Sequence, residues 1–271
     1  PFTGHCTYFT MAKCNKWKNG CNKCPQKESY PKSILIDNSK KEYIYKKKIF
    51  NGVSNIKLFT PSNWVTNLVK QSFLKGYPVS TIYNGVDLDI FKPTVNKEIY
   101  EKYGIPKDKK IIMGIANVWE ERKGLAYFLD LNNNISDNEI ILLVGLNDQQ
   151  VKCLPENIIK LKKVNSAQDL AVLYSLATVL YNPSVEETFS MVTAEAMACK
   201  TKVIVFDTSA PKELVDNSTG LVIEKIFNKE IKEVTQEVMK YITKISKKND
   251  KSIKKFDKKE MINHYIKEYE D

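Results

Sequence analysis

Glu187 and Glu195 lie eight positions apart in the run Ser184-Val185-Glu186-Glu187-Thr188-Phe189-Ser190-Met191-Val192-Thr193-Ala194-Glu195. The first falls where a strand-like run, Val179 to Tyr181 followed by Asn182-Pro183, gives way to a helix. The second falls about two turns inside that helix, which puts both acids on roughly one face, about 12 Å apart along the axis. Bare N–H groups of the first turn should lie near Glu187. Free amides at the positive end of a helix receive a diphosphate, and carboxylates accept hydrogen bonds from hydroxyls. Together they suit a sugar joined to a nucleoside diphosphate. Capping is the alternative, since Glu187 or Ser190 at a helix start serves that role as well.

Of the 42 basic residues, all are lysine except Arg122. Arginine carries a rigid, always-charged fork that meets phosphate oxygens two at a time, which lysine cannot copy. Cys6, Cys14, Cys21 and Cys24 fall within 19 residues and end in a C-x-x-C. Four thiolates in a short, turn-rich stretch fit a structural tetrahedral zinc site, with His5 as an alternative ligand. Free thiols and two disulfides are the other readings. Cys153 and Cys199 stand alone, and Cys199 reads as packing.

The elements that must position these groups change character along the chain. Residues 1–30 read as an irregular, Cys-rich loop. Lys57 to Thr60 and Val79 to Tyr83 read as strands, and between them the loop Pro61 to Trp64 opens a helix through about Phe73. Residues 1–91 thus hold one strand–helix–strand unit, a partial domain. From about Glu98, apolar strands alternate with helices: Lys110 to Ala116, Glu139 to Gly145, Ile158 to Leu161, Val179 to Tyr181, Lys202 to Phe206 and Gly220 to Ile223. Alternation of this kind means an α/β domain with a parallel sheet covered on both faces, over 92–250. Ligands of such sheets bind beyond the carboxyl ends of the strands. The tail is Lys- and Asp-rich to about Lys255. Over 251–271, Phe256, Ile262, Tyr265, Ile266 and Tyr269 repeat at helical spacing and predict an amphipathic helix packed on the body.

At 271 residues and 42% hydrophobic content, the chain can bury about two sizeable cores. No run of 18 apolar residues occurs. Net charge is +10, and residues 1–91 carry 14 Lys against five carboxylates, so +9 of it lies there. A basic surface of this kind faces an anionic partner such as lipid head groups, or is simply a solvated lysine surface. No nucleic-acid recognition motif is present.

The stretch from Glu187 to Cys199, followed by Val203-Ile204-Val205 and Lys212-Glu213-Leu214-Val215, resembles the donor segment of family 4 retaining glycosyltransferases of the GT-B fold. Gly114 to Trp119 with Arg122-Lys123-Gly124 resembles the first loop of that family's C-terminal domain. Pro61 to Trp64 and Asn84 to Asp87 with Phe91-Lys92-Pro93 resemble its domain junction. Gly20-Cys21 and Cys24-Pro25 resemble a branch of colanic-acid or capsular-polysaccharide type. The resemblance implies Glu187 beside the donor sugar, Glu195 on the ribose, and a diphosphate on the amides of Phe189, Ser190 and Met191. It also implies Arg122 and Lys123 against the leaving phosphate and catalysis without a metal cofactor. The partners would be a UDP- or GDP-type sugar nucleotide and a glycan or lipid-linked acceptor, with no nucleic acid. The place would be the cytoplasm or the inner face of the membrane. Thr188, Ser190, Lys200 and Lys202 depart from the family pattern, the first three where glycine is common or expected at a turn and Lys202 where proline is. The chain holds one whole Rossmann-like domain and the second half of another, as an N-terminally truncated member would.

Overall fold

The computed structural model describes residues 3, 14–28, 33, 35–245 and 253–270. His5 and Cys6 lie outside the described residues. The chain divides into two compact units, Pro1–Tyr83 with Glu186–Phe189, and Asn84–Val185 with Ser190–Asp271.

The first unit contains α1 (Ser39–Asn51), β1 (Leu58–Thr60), α2 (Asn63–Val69) and β2 (Val79–Thr81). β1 and β2 pair in parallel, Leu58 opposite Val79 and Thr60 opposite Thr81. This is the expected strand–helix–strand unit. Ser62 opens α2 by accepting a hydrogen bond from the Val65 N–H at 3.2 Å, a side-chain cap for an orphan amide. Trp17, Cys21, Tyr43, Val69 and Leu74 form the core. The Trp17 indole N–H is satisfied by the Cys14 carbonyl at 2.7 Å.

The second unit starts with α3 (Glu98–Lys102), followed by β3 (Lys110–Ile115), α4 (Leu125–Asn132), β4 (Glu139–Val144), α5 (Asp148–Cys153) and β5 (Ile159–Leu161). Then come α6 (Ala167–Leu176), β6 (Val179–Asn182), α7 (Met191–Ala198), β7 (Lys202–Phe206), β8 (Gly220–Ile223), α8 (Ile231–Lys244) and α9 (Lys258–Glu270). All six strands are parallel, in the order β5-β4-β3-β6-β7-β8. The strands are nearly continuous apolar runs because both faces are buried. Phe128 and Tyr181 lie with ring centres 5.1 Å apart, and Trp119 meets Phe128 edge-on at 5.5 Å. Gly114 makes room for Phe128, since a Cβ there would come within 2.4 Å of its ring.

By its contacts the chain divides at Tyr83/Asn84, and the closing helix belongs to the second unit. The reason is a backbone clasp: the Val86 N–H donates to the Phe256 carbonyl at 2.7 Å, and the Lys258 N–H donates to the Val86 carbonyl at 2.9 Å. Gly85 allows it, because a Cβ would sit 2.3 Å from the Lys258 Cα. The apolar stripe of the closing helix is not packed away. Phe256 is buried, but Ile262, Ile266 and Tyr269 are exposed. Finally, the Lys-rich region before 255 contains α8, whose Val234, Val238 and Ile242 at four-residue spacing are fully buried.

Candidate functional site

The order of the second sheet has a reversal between β3 and β6. From β3 the chain winds outward to β4 and β5, then returns to add β6, β7 and β8 on the other side. At such a switch point the loops leaving the two central strands part in opposite directions and open a crevice at the carboxyl edge. The loops concerned are 116–124, after β3, and 183–190, after β6. They contain Arg122, Lys123, Glu187, Phe189 and Ser190, with Met191 following as the first helical residue.

The loop after β3 is held by packing and by its own backbone. The Trp119 indole donates to the Val144 carbonyl at 2.9 Å, and the Gln150 amide donates to the Trp119 carbonyl at 2.8 Å. The Val185 N–H donates to the Arg122 carbonyl at 3.0 Å, which ties the β3 loop to the β6 loop. The Arg122 Nε donates to Glu120 at 3.0 Å, so part of its fork is already committed to a carboxylate. Lys123 is half-buried beside it. Gly124, at φ 76°, ends the loop and starts α4.

The start of α7 differs from its expected place. The helix begins at Met191, so Glu187 lies on the preceding turn and does not share a helical face with Glu195. The segment Glu186–Phe189 belongs to the first unit. There Phe189 is buried and lies 6.1 Å, centre to centre, from the Tyr83 ring. Glu186, with no role assigned from sequence, is buried, whereas Glu187 is half-buried.

Ser190 turns the chain into α7 at φ 84°, a left-handed conformation that favours glycine. Lys200, at the other end of the helix, is also left-handed at φ 64°. Both are departures from the family pattern, and each costs roughly 1 kcal/mol of backbone strain. At Ser190 a side-chain network holds the turn. The Asn182 amide donates to the Ser190 hydroxyl at 2.9 Å and to the Thr193 hydroxyl at 3.2 Å, and those two hydroxyls share a hydrogen bond at 2.8 Å. All three residues are buried. Their spacing matches no motif, which is why sequence reasoning did not find Asn182 and Thr193. Because the Ser190 hydroxyl is spent here, it makes no capping bond, and no acid lies in the first turn of α7. The helix therefore starts without a side-chain cap, with its positive dipole end at Ser190 and Met191.

The network is testable through stability. Asn182→Ala is expected to cost about 2 kcal/mol, because the two buried hydroxyls lose their common partner. Ser190→Gly relieves the left-handed strain as it removes one bond, so its net change should stay under about 1 kcal/mol. Urea denaturation midpoints measure both, and an Asn182→Ala protein as stable as the parent would mean that the network does not hold the turn.

Glu195 sits on the second turn of α7 and accepts a hydrogen bond from the Tyr174 hydroxyl at 3.1 Å. Burial pushes its carboxyl up to about 7, and the Tyr174 hydrogen bond opposes that rise only in part. Tyr174 is itself fully buried, its carbonyl taken by the Thr201 hydroxyl. A carboxylate held in a low-dielectric place by a rigid donor is suited to accepting hydroxyl hydrogen bonds from a ligand.

Of the four thiols expected to bind zinc, Cys14, Cys21 and Cys24 border one small cavity with Lys16 and Trp17. None of the three is joined in a disulfide, and burial raises the Cys24 thiol. No group of three or more His, Cys, Asp or Glu disposed to hold a metal occurs among the described residues. Cys6 lies outside them.

Residues 109–243 match the profile of the family described as glycosyl transferases group 1. The D-inositol 3-phosphate glycosyltransferase of Thermobifida fusca (strain YX) is 26% identical in a 165-residue alignment that covers 54% of this chain and 38% of that protein. The chain spans less than half the length of the curated relatives it matches. Among solved structures, a sucrose-phosphate synthase from Thermosynechococcus elongatus superimposes with a TM-score of 0.70 at 19% identity, over 88% of this chain and 63% of that one. Anabaena HepE in complex with UDP and glucose superimposes at 0.62 and 18% identity, over 85% and 67%. These likenesses establish a GT-B-type α/β fold with parallel sheets.

Proposed function

We propose that this chain moves a sugar from a nucleoside diphosphate, of UDP or GDP type, to a glycan or lipid-linked acceptor with retention of anomeric configuration, in polysaccharide biosynthesis. The observation that carries the reading is the β3/β6 switch point, where the α7 N-terminus, without a side-chain cap, stands one turn before the half-buried Glu195. The Anabaena likeness, solved with UDP and glucose, supports the choice of a nucleotide sugar. In this reading Glu195 accepts hydrogen bonds from the ribose, and Glu187 from the donor sugar. The amides of Phe189, Ser190 and Met191 hold the diphosphate. The bond from the anomeric carbon to the β-phosphate oxygen breaks as the acceptor oxygen bonds to the same face. The acceptor's proton passes to the departing phosphate oxygen. Negative charge grows on that phosphate, and fixed amides with Lys123 and Arg122 stabilise it without calling on a metal cofactor.

The place of action in this proposal is the cytoplasm, at the inner face of the membrane. Structural zinc at Cys6, Cys14, Cys21 and Cys24 is a separate proposal, decided by elemental analysis: stoichiometric zinc supports it, and metal-free protein ends it. A nucleotide-sugar binder without transfer is the competing reading, since the chain covers less than half of its curated relatives. Isothermal titration with UDP, GDP and ADP in turn, without added metal, tests the donor site. Binding of one of them in the micromolar range is expected, and it names the base. No heat with any of the three would overturn the donor-site reading. Product from the chain with a labelled sugar nucleotide separates transfer from binding alone.

A further inference from the structure

α1 has an outward face that its own fold does not use. Ser39 and Tyr43 are buried, Phe50 packs against the same core, and Tyr43 meets Phe73 edge-on with ring centres 5.4 Å apart. The opposite face carries Lys40, Ile44 and Lys48 in one row and Lys41 and Tyr45 in the next, at the four-residue spacing of helical neighbours. All five are exposed, Ile44 at 55% and Tyr45 at 61%. Just before the helix, Leu35 is 89% exposed and Ile36 67%, and Ile49 and Val53 are exposed at its far end. A shallow groove runs along this face, bordered by Asp37, Lys40, Lys41, Ile44, Tyr45 and Lys48. Its one acid, the exposed Asp37, is engaged by the chain's own backbone, its carboxylate accepting from the Cys24 and Ser39 amides at 2.6 and 2.9 Å. Glu42 lies off to the side of this face on the helix wheel, and Lys47 flanks it on the other.

We propose that this face docks the protein onto an anionic lipid bilayer. Interleaved charge and apolar surface decides among partners. Three lysines in the stripe make it a poor seat for a buried strand or helix, because burying unpaired ammonium groups is expensive. A polyanion such as nucleic acid would meet the lysines but has no use for Leu35, Ile36 and Ile44. A bilayer interface accepts both. Apolar side chains enter the boundary of the acyl chains, tyrosine sits at head-group level, and lysine stems reach back to the phosphates. The inference also accounts for the charge asymmetry, since +9 of the net +10 lies in residues 1–91. No helix among the described residues is long and apolar enough to cross a membrane, so the contact is peripheral. It does not depend on the nucleotide site.

Co-sedimentation of the chain with vesicles tests this. One set contains phosphatidylcholine alone, the other phosphatidylcholine mixed with phosphatidylglycerol. Binding is expected to the second set and to weaken as salt is raised. The triple variant Lys40→Glu, Lys41→Glu, Lys48→Glu should lower the partition coefficient on the order of a hundredfold, at roughly fivefold per lysine lost from the surface. Ile44→Ser with Tyr45→Ser should lower it about tenfold with the salt dependence kept. Lys232→Glu, on the second unit, should leave it unchanged. All substituted side chains are exposed, so the variants should match the parent's circular dichroism. Equal binding to both vesicle sets, no binding to either, or undiminished binding by the triple variant would each overturn the proposal. An unchanged Ile44→Ser, Tyr45→Ser protein would overturn its apolar half.

Discussion

Replacing Glu195 is expected to weaken nucleotide binding and strengthen the fold at the same time. Glu195→Ala removes a carboxylate that would accept two ribose hydroxyls, and hydrogen bonds to a charged group contribute about 1.5–3 kcal/mol each. Affinity should fall on the order of a hundredfold, and about tenfold for Glu195→Gln, which keeps one acceptor oxygen. Stability moves the other way. The carboxyl titrates at about 7 in the folded protein against an ordinary 4.5. Between those values the folded state holds a proton that the unfolded chain has released. Stability therefore falls as pH rises from 4.5 through 7, and at pH 8 the buried charge costs on the order of 2–3 kcal/mol. Glutamine carries no such cost, so Glu195→Gln should be more stable than the parent at pH 8 and show no advantage below pH 4. Nucleotide affinity of the parent should decline as pH drops below about 7, by at most about tenfold per pH unit, while the glutamine variant stays flat. Titration calorimetry from pH 5.5 to 8.5 and thermal melts at both ends measure these effects. A glutamine variant that binds normally, or that is destabilised at pH 8, would move Glu195 from ligand binding to structure.

This opposition between stability and binding explains why the site was partly legible in sequence. Glu195, Ser190 and Met191 stood out because two acids flank the start of an otherwise apolar helix. The start of that helix was not legible. Ser190 enters α7 through a left-handed turn, a state serine rarely adopts, and nothing in its identity signals it. The expected helix therefore began too early and put Glu187 on the wrong element. Asn182, Thr193 and Tyr174 come from three elements whose spacing has no period, so only the fold brings them near Ser190 and Glu195.

The same physics divides the elements. Strands β3 to β8 could be read as apolar runs with turn residues between them, since a parallel sheet buries both faces. α1 could not, because five of its thirteen residues are lysine and only Ser39 and Tyr43 are buried. α8 has a clear apolar spacing but opens with Glu230, a residue outside the usual capping set, whose side chain nonetheless completes a capping box with Glu233. Ser166, a conventional cap, opens α6 by accepting from the Asp169 N–H at 3.0 Å. The Asp169 carboxylate pairs with Lys102 at 2.6 Å and Tyr103 at 2.8 Å, bonds that hold it below the usual range.

Three glycines of the second unit should respond to alanine in a graded way, and the gradient isolates what the switch point requires. Gly104 is left-handed at φ 63° with nothing within 4 Å of an added Cβ, so Gly104→Ala should cost only the strain, about 1–2 kcal/mol. Gly124 has similar strain at φ 76°, but its Cβ would lie 2.6 Å from the Pro183 carbonyl oxygen, on the facing loop. Backbone cannot swing aside as a side chain can. Gly124→Ala should cost about 3 kcal/mol and separate the β3 and β6 loops, because Val185 and Arg122 share a hydrogen bond just beside that contact. Gly145, at φ 92°, is tighter still, with a Cβ only 1.6 Å from the Ala116 carbonyl oxygen. Gly145→Ala should lose more than about 4 kcal/mol or fail to accumulate as folded protein. Urea denaturation ranks the three, and calorimetry on the folded variants reads the site. Gly104→Ala should bind nucleotide like the parent, and Gly124→Ala should lose at least about tenfold in affinity at temperatures where it is fully folded. Equal costs for all three would mean that conformational strain alone sets the requirement. Intact binding by Gly124→Ala would mean that the spacing of the two loops does not shape the proposed diphosphate site.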